Sequence, residues 1–297
     1  MASRYVIASI NDEELEISED DFAEIISAIA ALLHLLDGEE KFDAIVENYR
    51  ELEAFMFDQA LNAILSGSLD EIFFQLPRST ASRRLGNLLS SARLYQDSIS
   101  RHADAISKDE KVGTDLKLET NRQYDSSLNY RILEALRNHA QHYALPVHSF
   151  SIRKWWDREN NQSNHEFDPA ISVSELAINP NFKKSTLAEM QKGPDLLKLK
   201  PMAREYVECL SNIHYAFRNL IEPSIAHQIH VLEDSKRRFA EAHPSAPDMG
   251  LSAYQVGEDG TKVEVEYQLG NTLTQYVAFL KRKNRHLIKF AERRVFY

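Results

Sequence analysis

Apolar residues recur every three or four positions through most of the first 145 residues, which is the spacing that buries one side of an α-helix. The pattern covers residues 21–36, 40–65, 80–107 and 121–143. Only 9 of the 297 residues are glycine, well below the usual share of about 7%, which disfavours turn-rich β architecture. We therefore predict a mainly α protein in which four long helices form an antiparallel bundle.

Local signals mark the expected ends of these helices. Ser18 or Asp20 is a suitable N-cap for the first helix, and Gly38 is expected to close it. The polar segment at residues 108–120 is predicted to be a loop. Pro223 lies inside a later helical pattern, where it is expected to kink or break the helix.

The sequence pattern changes after Pro146. Residues 150–156 and 171–178 have the composition of short β-strands, and a polar stretch separates them. The first of these segments contains Trp155 and Trp156, whose large rings are expected to pack in the interior. Stacking of the two indoles on nucleic-acid bases is the alternative.

A predicted β-hairpin lies near the C-terminus. It covers residues 254–269 and turns at residues 258–260, which read Glu-Asp-Gly. These patterns divide the chain into a helical bundle over residues 20–148 and a C-terminal α+β extension over residues 149–297.

Composition limits the classes of function and the compartment. The net charge of −10 argues against a general nucleic-acid coat protein, although it leaves room for a local basic site. Cys209 is the single cysteine, so an intramolecular disulfide is excluded and a reducing compartment is favoured. It falls in an apolar helical pattern and is expected to be buried. No signal sequence and no apolar run of about 20 residues is present, so we expect a cytoplasmic protein without membrane contact.

A basic cluster near the C-terminus is a candidate RNA contact. It consists of Lys281, Arg282, Lys283 and Arg285. Phosphate contacts need only positive charge and reach, which these side chains supply. The alternative is a solvated helix end whose cations are favoured by the helix dipole.

The segment Leu128–Leu145 reads LNYRILEALRNHAQHYAL and ends against Pro146. On a helix with about 100° per residue, Arg137, Asn138 and His142 fall within one polar arc of about 140°. The opposite side carries Ile132, Leu133, Leu136, Ala140 and Tyr143. A guanidinium, an amide and an imidazole therefore share the polar side of an amphipathic helix.

The simplest interpretation of this arc is a solvated helix face. Pairs of arginine and histidine at similar spacing also recur, as Arg158 with His165 and as Arg237 or Arg238 with His243. Neither of these has asparagine after the arginine, and neither lies in the middle of a helical pattern. A special role is therefore favoured only for the pair in the segment above.

The sequence Arg137-Asn138-His139-Ala140-Gln141-His142 resembles the motif of the HEPN superfamily of helical nucleases and nucleotide-associated proteins. The resemblance covers residues 20–148. It implies a small helical bundle, metal-independent RNA cleavage, and pairing of two subunits so that both motifs line one cleft. It also suggests a toxin or antiviral defence effector with a possible neutralising partner protein. Some members of the superfamily are inactive and serve as binding or dimerisation modules.

The residue types suit RNA cleavage because RNA supplies its own nucleophile, the 2′-hydroxyl. His142 is the candidate acid or base, since imidazole titrates near neutrality. Arg137 is expected to bind the scissile phosphate through its planar donor fork, and Asn138 to position one of the two. The products would be a 2′,3′-cyclic phosphate and a 5′-hydroxyl, without metal or cofactor. His139 is expected to pack toward the core.

Other sites are less well supported by the sequence. His227, His230 and Glu233 recur at every third position, but they drift around a helix and no further ligand joins them. A glycine-rich phosphate loop and a G-x-S-x-G nucleophile elbow are both absent from the sequence. The main hypothesis is a homodimeric endoribonuclease, and the alternative is a non-catalytic dimerisation module that binds a nucleotide or a protein.

Overall fold

The computed structural model describes residues 4–66, 71–246, 250–257 and 262–293. In these residues the protein is mainly helical with small antiparallel sheets, which confirms the predicted mainly α class. The arrangement of the long helices as an antiparallel bundle stays a prediction. None of the described helices combines the length and the apolar character that crossing a membrane requires.

The described part of the chain contains eight helices and seven strands. The helices are α1 (Glu19–Ser66), α2 (Glu71–Ser107), α3 (Glu110–Ser126), α4 (Leu128–His142), α5 (Val173–Ala177), α6 (Lys184–Met190), α7 (Leu199–Ala242) and α8 (Thr272–Lys283). The strands are β1 (Arg4–Ala8), β2 (Glu14–Ile17), β3 (Ser149–Asp157), β4 (Gln162–Ser172), β5 (Leu196–Lys198), β6 (Ser252–Val256) and β7 (Lys262–Gln268).

The contacts between residues divide the chain into two compact units. Unit 1 comprises Met1–Glu40, Ser98–Leu116 and Phe217–Arg285, and unit 2 comprises Lys41–Asp97, Lys117–Ala216 and His286–Tyr297. Each unit takes segments from both sides of the boundary predicted between residues 148 and 149. That boundary stays a prediction.

Unit 1 contains a four-stranded antiparallel sheet in the order β2-β1-β6-β7. The pairing of β6 with β7 confirms the predicted C-terminal hairpin, whose predicted turn at residues 258–260 lies outside the described residues. Tyr5 in β1 stands opposite Ile17 on one side and Gln255 on the other. The N-terminal strands therefore complete the sheet that the hairpin begins.

Helix α1 does not end at Gly38, so that prediction is wrong. Gly38 is buried, and a Cβ atom there would lie 3.2 Å from side-chain atoms of both Ile99 and Phe217. Glycine at this position therefore allows close packing instead of ending the helix. Ser18 is the N-cap, because the N–H of Asp21 donates to its Oγ over 3.0 Å.

One further prediction from local signals is wrong. The supposed loop at residues 108–120 forms most of α3, which starts after Asp109 caps the N–H of Lys111 and which buries Leu116 completely. Of the two outcomes expected at Pro223, a break does not occur, because α7 continues from Leu199 to Ala242, and a kink stays a prediction. Buried apolar side chains on both sides of the proline, at Ile221 and Ile225, hold the helix in place.

Unit 2 contains a three-stranded antiparallel sheet in the order β3-β4-β5. Strand β3 agrees with the prediction, but residues 173–177 of the second predicted strand are helical. The reason is Ser172, whose Oγ accepts from the N–H of Glu175 over 3.2 Å and starts α5. Trp155 and Trp156 are 47% and 58% exposed, so their predicted packing in the interior is also wrong.

Helix α4 lies in unit 2 and is shorter than predicted. Ser127 interrupts the helical pattern, because its Oγ accepts from the N–H of Tyr130 over 3.0 Å and caps a new helix. The apolar side of α4 is buried as expected, with Ile132, Leu133 and Leu136 at most 1% exposed. Burial of this side directs the polar side of α4 toward the pocket described below.

Candidate functional site

A pocket of about 590 Å³ in unit 2, here called the α4 pocket, lies along one face of α4. Its volume falls in the range of about 300–1,000 Å³ that is common for small-molecule sites. The polar side chains that matter most come from Tyr124 of α3, from Asn138, His139 and His142 of α4, and from Asn179 and Lys183 between α5 and α6.

The structure brings part of the predicted motif into this pocket. Asn138 and His142 are exposed and line it, one helical turn apart. Arg137 is partly buried and is not among the lining side chains; its Nη1 donates to Oδ1 of Asn138 over 3.2 Å. The Nε of Arg137 is buried and has no hydrogen-bond partner among the described residues.

His139 is buried as predicted, with 3% of its surface exposed, but it also lines the α4 pocket. The backbone N–H of Asn181 donates to Oδ1 of Asn179 over 3.0 Å, so Nδ2 of Asn179 faces the ring of His139. This Nδ2 donates to Nδ1 of His139 over 3.0 Å. Since Nδ1 accepts, the proton of the neutral imidazole must be on Nε2.

Burial lowers the pKa of His139 below its ordinary value, and the nearby ring of His148 lowers it further. The two ring centroids are 6.0 Å apart. Burial also lowers the pKa of His148, although the carboxylates of Glu175 and Asp195 oppose this. Both imidazoles are therefore held in the neutral form near pH 7.

Lys183 brings a positive charge to the α4 pocket. Its Nζ lies 4.7 Å from the ring centroid of Tyr124 and donates to the hydroxyl of the same residue. Arg131 holds the end of α3 that carries Tyr124, because its Nη1 donates to the backbone carbonyls of Tyr124 and Asp125 over 3.0 and 2.8 Å. The lysine and the tyrosine are thus positioned as a pair.

Glu134 lines the pocket but is already engaged. Its Oε1 accepts from Nε2 of Gln96 over 2.9 Å and from the hydroxyl of Tyr206 over 2.6 Å. Tyr206 is completely buried, and its pKa is raised first by burial and then by the charge of Glu134. We therefore assign Glu134 to the scaffold behind the pocket.

The basic cluster belongs to unit 1, whereas all residues of the α4 pocket belong to unit 2. Lys281, Arg282 and Lys283 form the last turn of α8, and Arg285 follows it. Nζ of Lys281 lies 3.8 Å from Oε2 of Glu222. RNA contact by this cluster stays a prediction.

The structure also bears on the candidate metal ligands and on the single cysteine. Among the described residues no group of three or more His, Cys, Asp or Glu side chains is arranged to hold a metal ion. Cys209 is buried, as predicted, and burial raises the pKa of its thiol to about 12.

The sequence did not identify Asn179, Asn181 and Lys183 as neighbours of the motif. They lie some 40 residues beyond it, in a polar stretch with no local signal of function. For His139 a signal existed, because the helical angle of about 200° from Arg137 places it at the border between the polar arc and the apolar side.

Comparisons of the chain with protein-family models, with curated proteins and with solved structures found no match. The likeness to the HEPN superfamily therefore rests on the residues of α4 alone. The function has to follow from the chemistry of the α4 pocket, which combines two imidazoles, an ammonium group and several amides.

Proposed function

We propose that the protein is a metal-independent endoribonuclease that cleaves RNA in the α4 pocket, in a helical bundle similar to HEPN proteins. The observation that supports this is the meeting of His142, Asn138 and Lys183 in one pocket of one unit. These three side chains supply an acid or base, an orienting amide and a positive charge. RNA cleavage by its own 2′-hydroxyl requires those groups and no metal.

His142 acts as the general base on the 2′-hydroxyl. It is exposed at the C-terminal end of α4 and forms no side-chain hydrogen bond with any described residue, so its ring is free to accept a proton. The 2′-oxygen then attacks the adjacent phosphorus, and the 5′-oxygen of the next nucleotide leaves. A positioned base of this kind contributes about 10²–10⁴-fold to the rate.

Negative charge develops on the phosphate during the attack. The ammonium group of Lys183 is the cation that lines the pocket, and it stabilises this charge. Arg137 donates to Oδ1 of Asn138, which leaves Nδ2 of Asn138 to donate to a phosphate or 2′-oxygen. In this scheme Arg137 orients Asn138 through this hydrogen bond. We also propose that Arg137 contacts the scissile phosphate directly when RNA is bound.

The leaving 5′-oxygen needs a proton, and a second subunit is a natural source of the second acid. We propose a homodimer in which two α4 motifs face one RNA cleft, as the likeness to HEPN proteins implies. The same likeness implies a toxin or antiviral effector, whose growth arrest is relieved by co-expression of a neutralising partner protein.

The proposal is tested with purified protein and a labelled RNA oligonucleotide. We expect cleavage to persist in EDTA, to leave a 2′,3′-cyclic phosphate, and to stop when the nucleotide before the scissile bond is 2′-deoxy. His142→Ala should reduce the rate by about 100-fold or more. Gln141→Ala is the matched control, because Gln141 is the exposed neighbour outside the pocket.

Loss of cleavage in EDTA, cleavage of the 2′-deoxy substrate, or full activity of His142→Ala would contradict this mechanism.

A second function, binding of a nucleotide without cleavage, is favoured by the aromatic and amide lining of the pocket. Tyr143 and Phe182 offer ring surfaces, and Asn181 adds an amide. Unchanged RNA together with saturable binding of nucleotides would support that alternative.

A further inference from the structure

We infer that His139 is a neutral hydrogen-bond donor for a phosphate oxygen in the α4 pocket, and that Asn179 keeps it in this form. The identification of that phosphate as part of RNA rests on the proposed function. The donor role does not, because it follows from hydrogen bonds between buried side chains. His142 and His139 therefore have different tasks in one pocket.

A backbone N–H determines the orientation of the Asn179 amide. Its Oδ1 accepts from the backbone N–H of Asn181 over 3.0 Å. If the amide were turned over, its NH₂ group would face that N–H, and two donors would oppose each other. The observed orientation is therefore the only one that satisfies both groups.

The ring of His139 meets this amide through Nδ1. Since Nδ2 of Asn179 can only donate, Nδ1 of His139 must accept. A proton on Nδ1 would place two donors, Nδ1–H and Nδ2–H, opposite each other over 3.0 Å. The contact therefore disfavours the charged imidazolium as well as the Nδ1–H tautomer. The remaining form is the neutral ring with its proton on Nε2.

The Nε2–H group is the remaining polar group of the His139 ring. Nε2 is buried and has no hydrogen-bond partner among the described residues. Buried donors in proteins nearly always have a partner, so an unpaired one calls for an acceptor from outside the chain. Neither carboxylate oxygen of Glu134 fills this role, because no described atom is a hydrogen-bond partner of Nε2.

The other groups of the pocket indicate the chemistry of the acceptor. Lys183 makes the surroundings favourable for an anion, and Asn138 and His142 line the same pocket. Together with Nε2–H of His139, these groups surround an anion with several N–H donors and one positive charge. The two non-bridging oxygens of an RNA phosphodiester, or the three of a terminal phosphate, can accept from several of these donors at once.

The test uses the full-length protein with uridine 3′-monophosphate and, separately, inorganic phosphate. Long-range proton–nitrogen NMR correlations of the histidine rings should show Nε2–H and an unprotonated Nδ1 for His139 near pH 7. Addition of uridine 3′-monophosphate should shift the Nε2–H signal. Calorimetry should show that His139→Phe weakens binding by about tenfold or more, since the hydrogen bond is made to a charged group.

His139→Gln is the rescue variant, because a glutamine amide can place a donor close to the position of Nε2. It should bind within a few-fold of the natural protein. His165→Phe is the control, since His165 lies in β4 outside the pocket. An Nδ1–H tautomer, a charged ring near pH 7, or equal binding by His139→Phe would overturn the inference.

The wild-type NMR measurement keeps the inference testable if His139→Phe does not fold. If neither phosphate probe shifts the Nε2–H signal, the acceptor is ordered water, and the phosphate role is overturned. Binding that depends on His139 without RNA cleavage would remove the proposed nuclease and leave this inference standing. RNA cleavage that His139→Phe does not change would leave the proposed nuclease standing and would overturn the donor role of His139.

Discussion

The amide of Asn179 donates from Nδ2 to Nδ1 of His139 over 3.0 Å, and the two residues are only 6% and 3% exposed. They are separated by 40 positions in the chain. The contact determines which ring nitrogen carries the proton, and hence whether His139 can donate or accept in the α4 pocket.

Asn179→Asp should raise the pKa of His139. The new carboxylate accepts from Nδ1–H and stabilises the imidazolium, which the natural amide disfavours. An NMR titration of the ring measures the change. Asn181→Asp is the matched control, because it adds the same charge nearby through an exposed side chain that does not contact the ring. Equal shifts in the two variants would mean that the direct contact is unimportant.

Stability should fall as the pH drops below about 6.5. Burial lowers the pKa of both His139 and His148 from 6.5 in the folded protein, so the unfolded chain binds more protons in this window. The loss of unfolding free energy begins as the pH falls below the pKa that the two rings have in the unfolded chain. It is complete once the pH is below the pKa values of both rings in the folded protein. Urea unfolding at about pH 7.5 and about pH 5.5 measures it.

The same experiment has its own controls. His139→Gln and His148→Gln should each reduce the loss of stability between the two pH values, because each removes one ring whose pKa burial lowers. His227→Gln changes an exposed histidine of unit 1 and should leave the loss unchanged. A pH dependence that neither His139→Gln nor His148→Gln affects would contradict the assignment.

Arg218→Ala should strongly destabilise unit 1. Nε of Arg218 donates to Oε1 of Glu39 over 2.8 Å, and the Glu39 side chain is completely buried. The substitution breaks the buried ion pair between Arg218 and Glu39, and breaking such a pair costs about 3–5 kcal/mol. Urea unfolding measures the effect, and the double variant Arg218→Met, Glu39→Met should recover most of it. Arg237→Ala removes an exposed ion pair and should have little effect.

Gly113→Ala and Gly86→Ala should have opposite effects on stability. A Cβ at Gly113 would lie 2.3 Å from Oδ1 of Asp104, the atom that accepts the N–H of Gly113 over 2.7 Å. The substitution should therefore cost about 1–3 kcal/mol. At Gly86, in the interior of α2, no described atom beyond its own stretch of helix lies within 4 Å of the new Cβ, so alanine should stabilise the helix by about 0.5–1 kcal/mol. Thermal or urea unfolding distinguishes the two.

Helices α3 and α4 differ in how clearly the spacing of apolar residues in the sequence predicts them. The spacing of Ile132, Leu133 and Leu136 predicted the buried side of α4, because three large apolar side chains on one side need no further information. Helix α3 was missed, because it buries only Gly113 and Leu116 along its first two turns. A stripe so narrow is a weak signal in a polar segment.

Gly38 shows a different limit. Glycine near the end of an apolar pattern usually closes a helix, but Ile99 and Phe217 pack so close that no larger residue fits without movement. Those neighbours are far away in the sequence. The same glycine signal therefore has two meanings, and only the packing distinguishes them.

The sequence by itself determined the mainly α class and the two sides of α4, because a period of about 3.6 residues is a local property of the chain. It also placed Asn138 and His142 on one polar arc. Only the tertiary structure decided that Asn179 and Lys183 would join them and that His139 would face the pocket. Such contacts depend on how α3, α4 and the segment before α6 pack together, and no local pattern encodes that arrangement.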